Sequence, residues 1–305
     1  MYSSSQPPSY KLQQMLKKNA WLLTIYAVVL SLFVFKIITW PSGSAALISE
    51  YGVFFLLGLV GALVANSTGA GGGVIFIPFF ASLGFSPLEA VGTSIAIQCF
   101  GMTAGSVSWL RTLKATSDNI SVEKHVILQI MLLGAVCTVI GMLAGQFLIP
   151  EPALSINIIF RIFSVFFGGV LLFFTFYKGI TAKELIHSLR TFEVVLISVT
   201  CLVGGVITAW ISVGVGEMIA LLLFFLGFPA AIAVAVGVCM SAVAVLTGVQ
   251  YHLWITDSIS PEVVIFAGAA AFIGGYIAKY ITRALGSYYL KIFFGLWILI
   301  TGLIM

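Results

Sequence analysis

The stretch Asn66-Ser67-Thr68-Gly69-Ala70-Gly71-Gly72-Gly73 interrupts an apolar run that continues on both sides and contains Pro78 shortly afterwards. Four glycines in five residues cannot sustain a helix interior, because each costs roughly 1 kcal/mol against Ala. A second apolar run is broken in the same way, at Trp210-Ile211-Ser212-Val213-Gly214-Val215-Gly216-Glu217. Laid in register, residues 65–111 and 208–254 repeat one another. Gly71, Gly73, Leu83, Gly84, Phe85, Ala90, Val91 and Gly105 recur as Gly214, Gly216, Leu226, Gly227, Phe228, Ala233, Val234 and Gly248, every pair 143 positions apart and without a gap. Identity at one constant offset, half of it in glycines, indicates internal duplication. Repeated apolar segments with a glycine-broken centre are the mark of secondary transporters.

Composition sets the solvent. Of the 305 residues 61% are hydrophobic and 8% charged, against about 25% charged in soluble domains, and the mean hydropathy is +1.17. The net charge of +4 leaves no basic stripe on which nucleic-acid phosphates could sit, so a nucleic-acid partner is excluded and membrane lipid is the expected surrounding. Apolar segments run over 21–39, 51–66, 74–84, 88–110, 126–148, 156–177, 192–211, 217–227, 230–253, 263–281 and 288–304. Most reach the ~20 residues that cross a ~30 Å hydrocarbon core. The segments 74–84 and 217–227 are half that length and correspond to one another in the repeats, so they either cross with help or re-enter. The first apolar segment lacks a small-residue cleavage site and reads as a retained span.

The expected organisation is therefore an all-α polytopic membrane protein: a polar cytoplasmic tail over 1–20, an N-terminal transmembrane helix over 21–40, a first repeat over 50–178 and a second over 191–305. Lys11, Lys17 and Lys18, then Arg111, Lys114 and Lys124, then Lys178, Lys183 and Arg190, then Lys279, Arg283 and Lys291 account for twelve of the 14 basic residues. With alternating spans all of them fall on one side. The intervening connections Pro41–Glu50, Pro150–Ser155 and Thr256–Glu262 carry no Lys or Arg. The positive-inside rule then puts the N-terminus in the cytoplasm and the C-terminus outside. The first repeat enters from outside and the second from inside, which makes them inverted. Ile140-Gly141 and Ile273-Gly274 extend the correspondence. Inverted repeats let one sequence build two gates around one midplane site.

The chemistry is expected where the backbone is broken. Non-helical backbone at membrane depth is tolerated where it is buried in protein or lines a wet cavity, and each half-helix that follows a break starts with free N–H groups and partial positive charge. An anion suits such a place. Asn66, Ser67, Thr68, Gly71, Gly72 and Gly73 from the first break, and Ser212, Gly214 and Gly216 from the second, are the candidate substrate-binding residues. Close helix packing is the competing role for the glycines. Thr93, Ser94 and Gln98 form a second polar cluster one hairpin later, with back-bonding to their own helix as the alternative for the hydroxyls. Glu217 stands opposite Val74. An acid at membrane depth faces a cavity or a partner, so it is a candidate carrier of a coupling proton, or else a cap on the helix that starts at Gly216. Arg161, Arg111 and His252 read as interface residues, and Trp21, Trp40, Trp109 and Trp254 as an aromatic belt. Cys99, Cys137, Cys201 and Cys239 lack metal-ligand spacing, and no metal or other cofactor is expected. No HExxH, GxSxG or Walker lysine is present, so an enzyme is not expected.

The run Ser67 to Ser94, STGAGGGVIFIPFFASLGFSPLEAVGTS, resembles the signature of the TauE/SafE family, the sulfite exporter-like anion permeases. Glycine-rich break, proline, Leu-Gly-Phe turn and Ala-Val-Gly-Thr-Ser run come in the family's order, and the resemblance extends from about residue 50 to 305. It implies a secondary transporter, an exporter by the family's name, of sulfur-containing organic or inorganic anions such as sulfite or sulfonates in the cytoplasmic membrane. Protons as coupling ion and a homo-oligomeric assembly are compatible with it. Val236-Gly237 in place of Thr-Ser, and Glu217 in place of Val74, depart from the family pattern in the second repeat. A passive anion channel, and a membrane-embedded enzyme or scaffold acting on a sulfur metabolite, are the alternatives.

Overall fold

The computed structural model describes residues 44–115, 122–149, 155–177 and 188–304. The expected tail and N-terminal helix, residues 1–40, lie outside them, as do Lys178 and Lys183. The described residues are helical: α1 (Ser44–Tyr51), α2 (Phe54–Thr68), α3 (Gly73–Ser82), α4 (Pro87–Ala115), α5 (Lys124–Phe147), α6 (Ile156–Tyr177), α7 (Thr191–Ile211), α8 (Val215–Phe225), α9 (Ala230–Trp254) and α10 (Pro261–Ile304). Seven stretches are long and apolar enough to cross a membrane, and the chain is a multi-pass membrane protein. Helix α1 falls in the connection expected over Pro41–Glu50. The segments expected over 263–281 and 288–304 are two helices meeting at a kink, where Gly286 has φ 72° and ψ 165°.

Both breaks end the preceding helix in the same way. α2 ends at Gly69 with φ 87° and its N–H on the Ala65 carbonyl; α7 ends at Ser212, the equivalent position, with φ 59° and its N–H on the Thr208 carbonyl. Glycine is strain-free in this left-handed conformation, whereas Ser212 is one of two non-glycine residues among those described that adopt it. Half-helices α3 and α8, of 10 and 11 residues, rise about 15 Å and so reach halfway across a ~30 Å core. They turn into α4 and α9 at Gly84 (φ 80°) and Gly227 (φ 83°), again equivalent positions.

The packing between the halves is reciprocal. α2 lies along α10 and α7 along α5, while α4 and α9 pack on each other and α6 packs on α10. At the contacts, a Cβ on Gly141 would strike the Leu202 backbone and one on Gly274 would strike the Leu59 carbonyl. Gly141 pairs with Gly274 in the repeats, and Leu59 with Leu202. Small residues thus bring the helix backbones into van der Waals contact where lipid supplies no hydrophobic drive. α4 and α9 are enclosed. α5 exposes Leu128, Leu132, Val136, Ile140, Leu143 and Phe147 along one face, a stripe at helical spacing suited to lipid.

Candidate functional site

The two breaks touch. A Cβ on Gly73 would collide with the Ser212 carbonyl, and one on Gly216 would lie 2.6 Å from the Gly69 carbonyl. Because Gly73 is equivalent to Gly216 and Ser212 to Gly69, each half-helix begins against the last carbonyl of the opposite broken helix. Gln98, which joins this crossing, stands eleven residues into α4, about 17 Å along it and so near mid-depth of a ~30 Å core.

The N–H groups freed by the breaks converge on a few acceptors. Gly71 N–H donates to Glu217 Oε1 at 2.7 Å and Gly214 N–H donates to Glu217 Oε2 at 2.9 Å. These two donors are equivalent in the repeats, so one carboxylate straddles the junction and takes one bond from each copy. Gly72 N–H donates to Gln98 Oε1 at 2.7 Å, and its equivalent, Val215 N–H, donates to Thr208 Oγ1 at 2.9 Å. The Gln98 amide nitrogen in turn donates to Ser212 Oγ at 2.8 Å and Ser94 Oγ at 3.1 Å, and the Ser212 hydroxyl donates to Ser94 Oγ at 2.9 Å. Glu217, Gln98, Ser94 and Ser212 are all buried. A carboxylate at the start of two short helices is favoured by both dipoles and by charge-assisted hydrogen bonds. The breaks therefore hold an acid that belongs to the chain itself.

The other candidates are distributed around this centre. Thr68 donates back to the Val64 carbonyl at 2.9 Å. Asn66 and Ser67 point away from the crossing: Asn66 Nδ2 donates to the Ala62 carbonyl and Ser67 Oγ to the Ala278 carbonyl. Thr93 Oγ1 accepts the Ser260 N–H at 3.0 Å, which ties it to the connection before α10 instead of the break. Thr208 has no counterpart to announce it, since the equivalent residue is Ala65, and its part in the site is a structural finding. Two aromatic or imidazole residues differ from the interface reading. Trp109 is buried, with its indole N–H on the Asn66 carbonyl, and His252 is buried, whereas Trp254 is exposed as a belt residue would be. Among the described residues no group of His, Cys, Asp and Glu could hold a metal.

Beside the crossing lies a cavity of about 390 Å³ between the ends of α5, α7 and α9 and the starts of α4 and α6, lined among others by Gln146, Trp210, Tyr251 and His252. The equivalent neighbourhood in the other half is crossed by hydrogen bonds between helices. There Thr282 Oγ1 donates to the Ser67 carbonyl, Ser108 Oγ to the Tyr276 carbonyl and Trp109 Nε1 to the Asn66 carbonyl.

A family model described as Sulfite exporter TauE/SafE matches residues 54–305. No curated protein and no solved structure matches the chain.

Proposed function

The chain belongs to the sulfite exporter TauE/SafE family, and from that premise we propose that it is a secondary transporter that exports sulfur-containing anions, sulfite or sulfonates, by alternating access around the crossing of the two breaks. The observation that carries this reading is the pair of equivalent N–H groups, of Gly71 and Gly214, on the two oxygens of Glu217. A junction that already holds a carboxylate has the polarity an oxyanion needs. A substrate reaching it would exchange with Glu217 and Gln98 for the N–H groups of Gly71, Gly72 and Gly214, with Ser94, Ser212, Gly73 and Gly216 shaping the space.

Reciprocal packing supports two repeats, over 50–178 and 191–305, related by a pseudo-two-fold axis in the membrane plane. The cavity in one half and the hydrogen-bonded closure of the other support two gates of which one is shut. Lys279, with Arg111 and Arg283 in electrostatic range, gathers positive charge at the closed end, in keeping with that end being cytoplasmic and the C-terminus lying outside.

Counterflow in proteoliposomes tests the reading. Vesicles loaded with unlabelled sulfite should accumulate radiolabelled sulfite transiently and saturably, without ATP. Unsaturable conductance would make the protein a channel, and chemical conversion of sulfite by the detergent-solubilised protein would make it an enzyme.

A further inference from the structure

α4 and α10 run side by side in the same direction. Thr93 Oγ1 accepts the Ser260 N–H near their starts, and Ser108 Oγ donates to the Tyr276 carbonyl near the end of α4; the partners are 167 and 168 positions apart. That register sets Arg111, three residues past Ser108, opposite Lys279, three residues past Tyr276. Arg283 follows Lys279 by one turn of the same helix. Lys279 is only 9% exposed, yet the charges around it are Arg283 and Arg111, and no acid is among them. Neither arginine has an ion pair among the described residues. The Lys279 ammonium lies over the rings of Tyr276 and Tyr280, 5.4 and 5.1 Å from their centres, contacts that position a cation without cancelling its charge. The positive-inside rule asks only for basic residues at this end. It does not ask for one to be buried against two others, an arrangement that costs repulsion until an anion answers it. The group also stands beside the bonds that tie α10 to α2. Ser67 Oγ donates to the carbonyl of Ala278, which precedes Lys279, and Thr282, which precedes Arg283, donates to the Ser67 carbonyl. Ser67 is in the last turn of α2, two residues short of Gly69, where the first break begins.

We propose that Lys279, Arg283 and Arg111 form a second oxyanion-binding site, separate from the crossing. An oxyanion with several terminal oxygens accepts from two guanidinium forks and one ammonium at once, and the charges that repel one another without it converge on it. Two sources share this chemistry: a sulfur oxyanion arriving from the cytoplasm, and the phosphate of an anionic lipid. Ile277, Tyr280 and Ile281 are exposed on the same turns of α10, which opens the group to lipid from the side. For a sulfur anion the inference rests on the transport reading above and adds a station to it. An anion held here is about one helix turn from the bonds that close the cytoplasmic end, and reaches the cations before it reaches the crossing.

The test is calorimetric binding of sulfite and sulfate to the full-length protein in nanodiscs of neutral phosphatidylcholine, repeated in nanodiscs that also contain phosphatidylglycerol, with uncharged dimethyl sulfone as the control. The anions should bind and the sulfone should not, with affinity falling as salt rises. Lys279→Met and Arg283→Gln should each weaken the anions at least about tenfold. Lys279→Arg should retain binding, which separates charge from packing. Lys124→Gln, the same loss of charge outside the group, should leave it unchanged. Thermal melts show that each variant is folded, and Arg283 is exposed, so its replacement leaves the packing intact. Anion affinity that phosphatidylglycerol leaves alone assigns the site to the soluble anion; affinity that phosphatidylglycerol suppresses, with lipid retention lowered by the same two variants, assigns it to the lipid phosphate. Anion affinity and phosphatidylglycerol retention, the latter read by native mass spectrometry, that both stay at the parent's level in Lys279→Met and Arg283→Gln would overturn the proposal. That result together with sulfite counterflow removes this site and leaves the transport reading standing; charge-dependent binding with no flux of any sulfur anion does the reverse.

Discussion

In the first break the Gly71 and Gly72 N–H groups borrow their acceptors from Glu217 and Gln98 on other helices, while the Ala70 N–H finds a local one in Thr68 Oγ1 at 3.4 Å. In the second, the acceptors are local: Glu217 for the Gly214 N–H three residues before it, and Thr208, on the preceding turn, for the Val215 N–H. The backbones agree in the left-handed Gly69 and Ser212 and part at Gly214, whose φ of 154° Gly71 does not share. The side chains differ further, and the reason lies in the junction itself. A position that receives one N–H from each copy has room for one carboxylate. A second, from position 74, would meet the first as a like charge in a buried place. The two breaks give the site its frame, and one residue without an acidic counterpart, Glu217, gives the frame its carboxyl group.

The largest effect is expected where backbone meets backbone. Gly73→Val and Gly216→Val each drive a branched side chain into a main-chain carbonyl of the opposite break, and both should abolish sulfite flux while insertion persists. Gly72→Val meets only the side chains of Phe76 and Gln98, which can give way, so it should retain more flux than either. Equal flux in all three, measured in proteoliposomes after matched reconstitution, would dissolve the idea that the breaks cross.

A smaller effect is expected at the shared acid. Glu217→Gln replaces one acceptor oxygen by an NH2 donor, so either Gly71 or Gly214 loses its partner, at a cost of about 3 kcal/mol for a charge-assisted bond in a buried site. A lowered melting temperature checks this. The same variant reconstituted with and without a pH gradient separates two roles. Flux that no longer responds to the gradient assigns the coupling proton to Glu217, and an unchanged response leaves it as the cap of both helices. Thr208→Val, which keeps shape and removes both the acceptor for Val215 N–H and the hydroxyl's own bond to the Gly204 carbonyl, should cost about 1 kcal/mol. A melt indistinguishable from the parent's would mean that the second break does not depend on it.

Helix order, the half-length segments and the mid-chain breaks were legible in the sequence because apolar run length and clustered glycines report directly on helix continuity. Ser44–Tyr51 was not, since a neighbourhood of Pro41, Ser42 and Gly43 reads as connection. The site was legible in outline only. Spacing alone shows that Glu217 can cap the helix behind it, but its second donor, Gly71, is 146 residues away and only the crossing brings it near. Thr93 has the same hydroxyl as Ser94 one residue on, yet it turns toward Ser260, a choice made by tertiary packing. Trp109 sits at a span end in sequence and is buried in the fold because its indole N–H is needed at the Asn66 carbonyl.

The central claim, that the two breaks form one pseudo-symmetric junction holding a single carboxylate, is tested most directly by moving that carboxylate to the other copy. Val74→Glu alone should place two acids at the junction, and Glu217→Val alone should leave two N–H groups unpaired, so each should lower both thermal stability and sulfite flux. The account predicts that the double variant, Val74→Glu with Glu217→Val, recovers most of the stability and measurable flux, because an acid at position 74 reaches the same two donors from the opposite side. A double variant as damaged as the two single losses combined would contradict it.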